Sequence, residues 1–390
     1  MIYLESFKRE FRSIFKYKGM MILLFIGPIF LTLYFGGVYY NDYVKDIPIA
    51  VLDEDSSSLS GLVTNYFLTN ERFDVTNYPT SREELQKLID DGKVQMGICI
   101  PGGFERDVTT YKSSQILAIT DGSNIVVANN AYAQATLIAQ SISAGVEMKL
   151  IQGKGMTPQT AQNMALVYNL GERVLYDPKM TYMNYLIICF LAIFFQQLML
   201  SSMGSTFIRD NEYITEGNVV SKIFGAVSAC FVGILPSTIL SVFTLLKLFH
   251  VPMIGNMLTV IVLSIVFIFS IMGPSLLIAS VAKDRLKYSQ FEFMLSLPTF
   301  VSSGCVWPMD QMPKALEIII RACWPLANYA KVSQEVLIKG MNFKAVIPHI
   351  LQLGLFSLVW LPIGIISYKR AFSKSTANDK LLKDDAEQMI

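Results

Sequence analysis

Six long apolar runs decide what this chain can fold into. They lie at 19–40, 182–207, 223–249, 257–282, 288–307 and 346–368. A helix rises about 1.5 Å per residue, so roughly 20 apolar residues cross the roughly 30 Å hydrocarbon core of a bilayer. Each run meets that length. Only 16% of the 390 residues are charged, against about 25% in a soluble domain. The expected fold is an α-helical polytopic membrane protein with six transmembrane helices. Between the first two runs lies a polar island, 41–181, large enough to form one inserted domain.

Residues 1–18 carry Lys8, Arg9, Arg12, Lys16 and Lys18, with Phe7, Phe11, Ile14 and Phe15 at helical spacing. This is a basic amphipathic helix. It has two readings: a helix lying on the cytoplasmic leaflet, or a positive flank that orients the next span. The run at 19–40 exceeds the 7–15 apolar residues of a cleaved signal and ends in Tyr39, Tyr40 and Tyr43. It reads as an uncleaved anchor with the amino terminus inside.

Within the island, strands are expected at 47–52, 73–75, 94–100 and 116–120. Helices are expected at 59–68, 83–91 and 129–150, the second opened by a capping box at Ser81-Arg82-Glu83-Glu84. Alternating strands and helices imply a small α/β domain. Asp53, Asp55 and Asp121 are read as turn and cap residues in preference to cation ligands.

With the amino terminus inside, the island is extracytoplasmic and the charged loop 208–222 is cytoplasmic. Lys283, Arg285, Lys287, Lys369, Arg370 and Lys374 then fall inside, whereas Lys314, Arg321, Lys331, Lys339 and Lys344 fall outside. The first helix and the short loops usually dominate orientation, so both termini are placed in the cytoplasm, with 369–390 as a tail. The segment 308–344 is semi-polar, and its apolar stretch 315–323 is too short to cross. It is expected to be re-entrant or interfacial.

Several chemistries lack their motifs. There is no GxxxxGK[ST], so this chain is not expected to hydrolyse nucleotide itself. There is no GxSxG or HExxH, and His250 and His349 have no neighbouring cluster of ligands. No metal or other cofactor is expected on this chain. A net charge of +1 offers no basic field for nucleic acid. The five cysteines form no CxxC pair: Cys189 and Cys230 read as small buried hydrophobes, and Cys305 and Cys323 are expected to be unpaired. Within the second span, Gln196, Gln197, Ser201 and Ser202 have two readings, a translocation path or interhelical hydrogen bonding. Glu292, near the inner end of the fifth span, is a functional candidate because ionisable intramembrane residues usually are; an interfacial side chain is the other reading. A receptor or scaffold would need only one anchoring span, which leaves five spans to explain.

One span, a large outer domain and then five spans resembles the permease subunit of ABC type-2 exporters. Ile47-Pro48-Ile49-Ala50-Val51-Leu52-Asp53-Glu54-Asp55-Ser56 is similar to the opening strand and Asp-x-Asp-x-Ser turn of their outer domain. Ile100-Pro101 with Phe104, and Leu175-Tyr176-Asp177-Pro178, match further family segments. The nearest match is Ser303-Gly304 with Trp307-Pro308 and Met312-Pro313.

The resemblance implies that loop 208–222 holds a coupling helix that docks on a separate ABC ATPase. Its candidate residues are Arg209, Asp210, Glu212, Thr215, Glu216, Gly217 and Lys222. The family's Glu-Arg-Glu-x-Gly-Thr pattern is absent here, while the charge character is kept. The implied machine pairs two permeases, identical or related, with two ATPase subunits that bind ATP and Mg. It would export a lipid-like, hydrophobic or drug-like substrate across a bacterial inner membrane, in contact with membrane lipid.

Overall fold

A computed structural model describes residues 1–41, 43–165, 173–178 and 180–387, with side chains to residue 372. The chain divides into two units, Met1–Asp42 with Val174–Ile390, and Tyr43–Arg173.

The first unit opens with α1 (Ile2–Lys16). A continuous helix Lys18–Val38 follows, made of α2 (Lys18–Met21), a wider turn at Ile22–Ile26, and α3 (Gly27–Val38).

The second unit runs β1 (Ile47–Asp53), α4 (Ser58–Leu68), β2 (Phe73–Asn77), α5 (Arg82–Asp90), β3 (Met96–Ile100), α6 (Phe104–Thr109), β4 (Leu117–Thr120), α7 (Ile125–Gly153) and α8 (Pro158–Ala165). Its sheet has the order β2-β1-β3-β4. β1 is parallel to β2 and β3, and β4 is antiparallel to β3. β1 is covered on both faces, which is why it reads as an unbroken apolar run. Ile47, Ile49 and Val51 pack with Val63, Phe67 and Ile138. Ala50 and Leu52 pack with Leu85 and Ile89 on the other side.

Asp53, Asp55 and Asp121 are spent on backbone N–H groups of turns and helix starts. Asp55 accepts from Gly103, Phe104 and Glu105 at the start of α6. Its carboxyl is held below the usual range, first by the Ser57 hydroxyl and then by these amides. Asp53 accepts from Asp55 N, Ser56 N and Ser60 Oγ, and Asp121 from Ser123 N. The capping box expected at 81–84 is only half built. Ser81 accepts from Glu84 N, but the Glu84 carboxylate turns to Thr80 N. A reciprocal box forms instead between Ser57 and Ser60.

The first unit resumes with α9 (Tyr182–Arg209), α10 (Asn211–Thr215), α11 (Val219–Lys247), α12 (Met257–Ala282), α13 (Arg285–Val301), α14 (Lys314–Cys323), α15 (Ala330–Lys339) and α16 (Phe343–Glu387). Among the described residues, five helices are long and apolar enough to cross a membrane: Lys18–Val38, α9, α11, α12 and Phe343–Phe372 of α16. The run at 288–307 gives a shorter helix than its composition suggests. α13 has 17 residues and contains Pro298; the chain then turns through Ser302 and Ser303 to Gly304, whose φ is 86°. The 369–390 tail continues α16 as helix to Glu387; residues 388–390 and the side chain of Lys374 lie outside the described residues.

One cysteine expectation is overturned. Cys189 on α9 and Cys305 after α13 form a disulfide, with Cα atoms 6.2 Å apart, inside the roughly 7 Å that a bridge allows. Cys189 is therefore more than a buried hydrophobe, and Cys305 is not unpaired. The approach is built by neighbours: Phe190 stacks on Phe300 at 5.1 Å, and Tyr185 Oη donates to the Cys305 carbonyl. Cys99, Cys230 and Cys323 are free. Peptide mapping without reductant is expected to yield a cross-linked pair containing Cys189 and Cys305. Alkylation of both residues in unreduced protein would refute it.

Candidate functional site

α9, α10 and α11 form a hairpin whose tip is α10. Asp210 and Gly217 flank α10, and Gly217 has φ 69°, a conformation that glycine adopts without strain. Asn218 then caps α11 by accepting from Ser221 N.

The tip is fastened to α1. Every fourth residue of α1, Ser6, Glu10 and Ile14, is buried. Ser6 Oγ donates to the Lys222 carbonyl at 2.7 Å. Gly225 of α11 lies so close to the Tyr3 carbonyl that a Cβ there would clash with it. Glu10, 1% exposed, accepts from Thr206 Oγ1 at 2.9 Å and from Arg209 Nη2. Burial pushes the Glu10 carboxyl up, while Arg209 and Thr206 oppose the shift. Arg209 also holds Asp210 through two bonds at 3.1 and 3.0 Å. Arg9 pairs with Asp210 at 3.5 Å and lies 4.1 Å from the Tyr213 ring centroid. Lys222 lies at the same distance from that ring and donates to the Tyr213 and Glu216 carbonyls.

The seven loop candidates thus divide. Arg209, Asp210 and Lys222 are consumed in building the tip. Thr215 bonds back to the Asn211 carbonyl. Glu212, Glu216 and Gly217 are exposed, so the outward surface of the tip is acidic. The sequence reading missed Glu10 and Tyr213; the Ser6-Glu10-Ile14 spacing was the one available signal.

The polar residues of the second span divide too. Gln197 Nε2 donates to Glu292 on α13 at 2.7 Å, and Ser201 Oγ approaches both carboxylate oxygens at 2.8 and 3.0 Å. Glu292 is 2% exposed. Gln196 faces elsewhere and accepts from Trp324 Nε1 at 3.0 Å. Ser202 bonds back to the Leu198 carbonyl. Beside them Gly204 makes room for the Tyr288 ring, which a Cβ would overlap. Tyr288 bridges Leu200 O and Ser275 Oγ, so α9 and α13 are joined at two levels.

In the motif after α13, Ser303 donates to the Phe300 carbonyl and accepts weakly from Cys305 N. Met309 packs over Gly304. Trp307 and Pro308 are exposed, and Met312-Pro313 leads into α14. An apolar cleft of about 260 Å³ opens between α9, α11, α12 and α15, lined by Phe195, Phe231, Val242, Ile261 and Tyr329.

Comparison with known proteins agrees with this architecture. The profile of the family described as "ABC-2 family transporter protein" matches residues 18–366. The chain is similar to the probable multidrug ABC transporter permease YbhR of Escherichia coli strain K12, 22% identical over 78% of this chain and 81% of that one. It is also similar to the inner membrane transport permease YhhJ of the same strain, 20% identical over 93% and 95% of the two chains. ABC transporter G family member 20 of Dictyostelium discoideum is 20% identical over 86% of this chain and 46% of its own length.

Proposed function

The chain belongs to the ABC-2 transporter family, and from that premise we propose that it is the permease subunit of an ATP-driven exporter of a hydrophobic, lipid-like or drug-like molecule. The observation that carries the reading is the α9–α10–α11 tip, whose cationic residues are tied inward and whose Glu212 and Glu216 face outward. ATP and Mg bind a separate ABC ATPase, which docks on this acidic tip. Two permeases, identical or related, complete the assembly. The membrane is a bacterial inner membrane. α13 makes a sixth crossing, both termini are cytoplasmic, and unit Tyr43–Arg173 is extracytoplasmic.

A push at α10 travels by rigid contacts. α9 receives it directly, and Glu10 joins α1 to the same point. Farther along α9, Gln197 and Ser201 grip Glu292, so displacement of α9 carries α13 with it. The apolar cleft bordered by α9 and α11 suits a hydrophobic cargo. A permease named for multidrug transport among the relatives supports that class.

The test is reconstitution. The purified chain is expected to show no ATP turnover alone. With a partner ABC ATPase that co-purifies with it, turnover is expected to rise on adding a hydrophobic cation or lipid, with uptake into inverted vesicles. Equal turnover by the ATPase with and without this chain would refute the reading. The orientation has its own check: Ser113→Cys, at an exposed position, is expected to react with a membrane-impermeant thiol reagent on intact cells, and labelling only after lysis would reverse it.

A further inference from the structure

We propose that a polar cavity beside the N-terminal ends of α9 and α16 binds the headgroup of a zwitterionic, amine-bearing phospholipid. This rests on the membrane placement of these helices and not on transport. The cavity holds about 280 Å³ and is lined by Tyr185, Asp310, Arg321, Lys331, Glu335 and His349. Whole-ligand pockets begin near ~300 Å³, so this one suits a headgroup whose acyl chains remain in the bilayer.

The charges define the chemistry. Two cations, Arg321 and Lys331, face the same space as two carboxylates, Asp310 and Glu335. A lone anion would leave the carboxylates opposed to it, and a lone amine would leave the cations so. A phosphodiester with an adjacent ammonium answers both pairs.

The cationic side is preset. Arg321 is oriented by bonds from Nε to Glu317 at 3.0 Å and from Nη1 to Asn328 at 2.9 Å, leaving Nη2 unbonded among the described residues. Lys331 is half-buried and bonds the Gln334 amide oxygen at 3.2 Å. Glu335, its nearby carboxylate, is paired with Lys339 at 2.8 Å. Burial lowers the Lys331 pKa, so its ammonium gains from an anionic ligand. His349 also borders the cavity, although its Nδ1 is shut from solvent and has no partner among the described residues.

The surroundings place the cavity at headgroup depth. α9 and α16 begin beside it and α13 ends there, since Ser303 and Gly304 also line it. Exposed Trp307, at 56%, has the character of an interfacial anchor. α14, which supplies Arg321, exposes Ile318 and Ile319, as an interfacial helix does.

The experiment uses the full-length protein in detergent, washed free of lipid and examined by native mass spectrometry. Phosphatidylethanolamine is expected to be retained about tenfold better than phosphatidylglycerol or diacylglycerol. Lys331→Gln and Glu335→Gln are each expected to reduce that retention about tenfold, the scale of one lost charge-assisted bond. Lys283→Gln, on an exposed residue that does not line the cavity, is expected to change nothing. If Lys331→Gln does not accumulate, Asp310→Asn at an exposed position replaces it. Equal retention of the three lipids, or wild-type retention in the cavity variants, overturns the site. Displacement by glycerophosphoethanolamine at equal concentration would assign the cavity to a soluble ligand and overturn the lipid assignment.

Discussion

Glu10→Ala is expected to destabilise the protein by roughly 3 kcal/mol, the lower end of the range for removing one partner of a buried ion pair. Glu10 is 1% exposed, and its carboxylate is shared between Arg209 and Thr206. Truncation leaves the Arg209 guanidinium facing a void and Thr206 Oγ1 without its charged acceptor. The lower end applies because the Arg209 side chain is 22% exposed and keeps Asp210. Glu5→Ala, at an exposed position on the same helix, is expected to stay within about 0.5 kcal/mol. Arg209→Ala with Glu10→Ala is expected to be less harmful than the sum of the two, because neither charge is then stranded. Thermal unfolding in detergent measures all four. If Glu10→Ala is no worse than Glu5→Ala, α1 does not depend on the loop for its place.

That contact also shows where sequence reasoning stops. The phenylalanines of α1 announced an amphipathic helix, and the helix is there. The face it packs against α11 is Ser6, Glu10 and Ile14, a stripe holding a carboxylate that periodicity counts as outward. Only the arrival of Arg209, 199 residues later, makes that stripe a buried one. The same limit explains the cysteines. Cys189 and Cys305 are 116 residues apart, and nothing local in either run records that Phe190 stacks on Phe300. By contrast, β1 and the long helices were legible, because burial on both faces or around a whole helix writes an apolar run into the chain itself. The end of α13 was not legible, because Cys305, Val306 and Trp307 prolong the apolar run beyond Val301, where the helix stops ahead of the turn at Gly304. Gln197 and Ser201 were legible as polar groups needing partners, and Glu292 as a costly intramembrane charge. That they are partners of one another was not, since the two stretches lie on different helices.

Reversing Glu212 and Glu216 to Lys together is expected to release the ATPase while the permease still inserts and folds. Both side chains are exposed on the tip, and neither carboxylate is hydrogen-bonded to the helices behind it among the described residues. The fold therefore does not use them, and surface changes of this kind typically move stability by less than about 0.5 kcal/mol. Their effect is reserved for whatever approaches the tip. A partner shaped for an acidic surface would meet like charge, and such juxtaposition costs several kcal/mol, enough to weaken association by roughly a hundredfold. Lipid adsorption predicts the opposite outcome, because adding Lys strengthens attachment to anionic leaflets. Co-purification of the ATPase and its stimulated turnover are the readouts, with thermal stability as the check on folding. Glu147→Lys, at an exposed position on α7, serves as the control and is expected to leave both readouts unchanged. Should the double reversal also leave ATPase binding and turnover at wild-type level, the tip is a solvated turn. Docking would then pass to the exposed side of α1, at Lys8, Arg12 and Phe15.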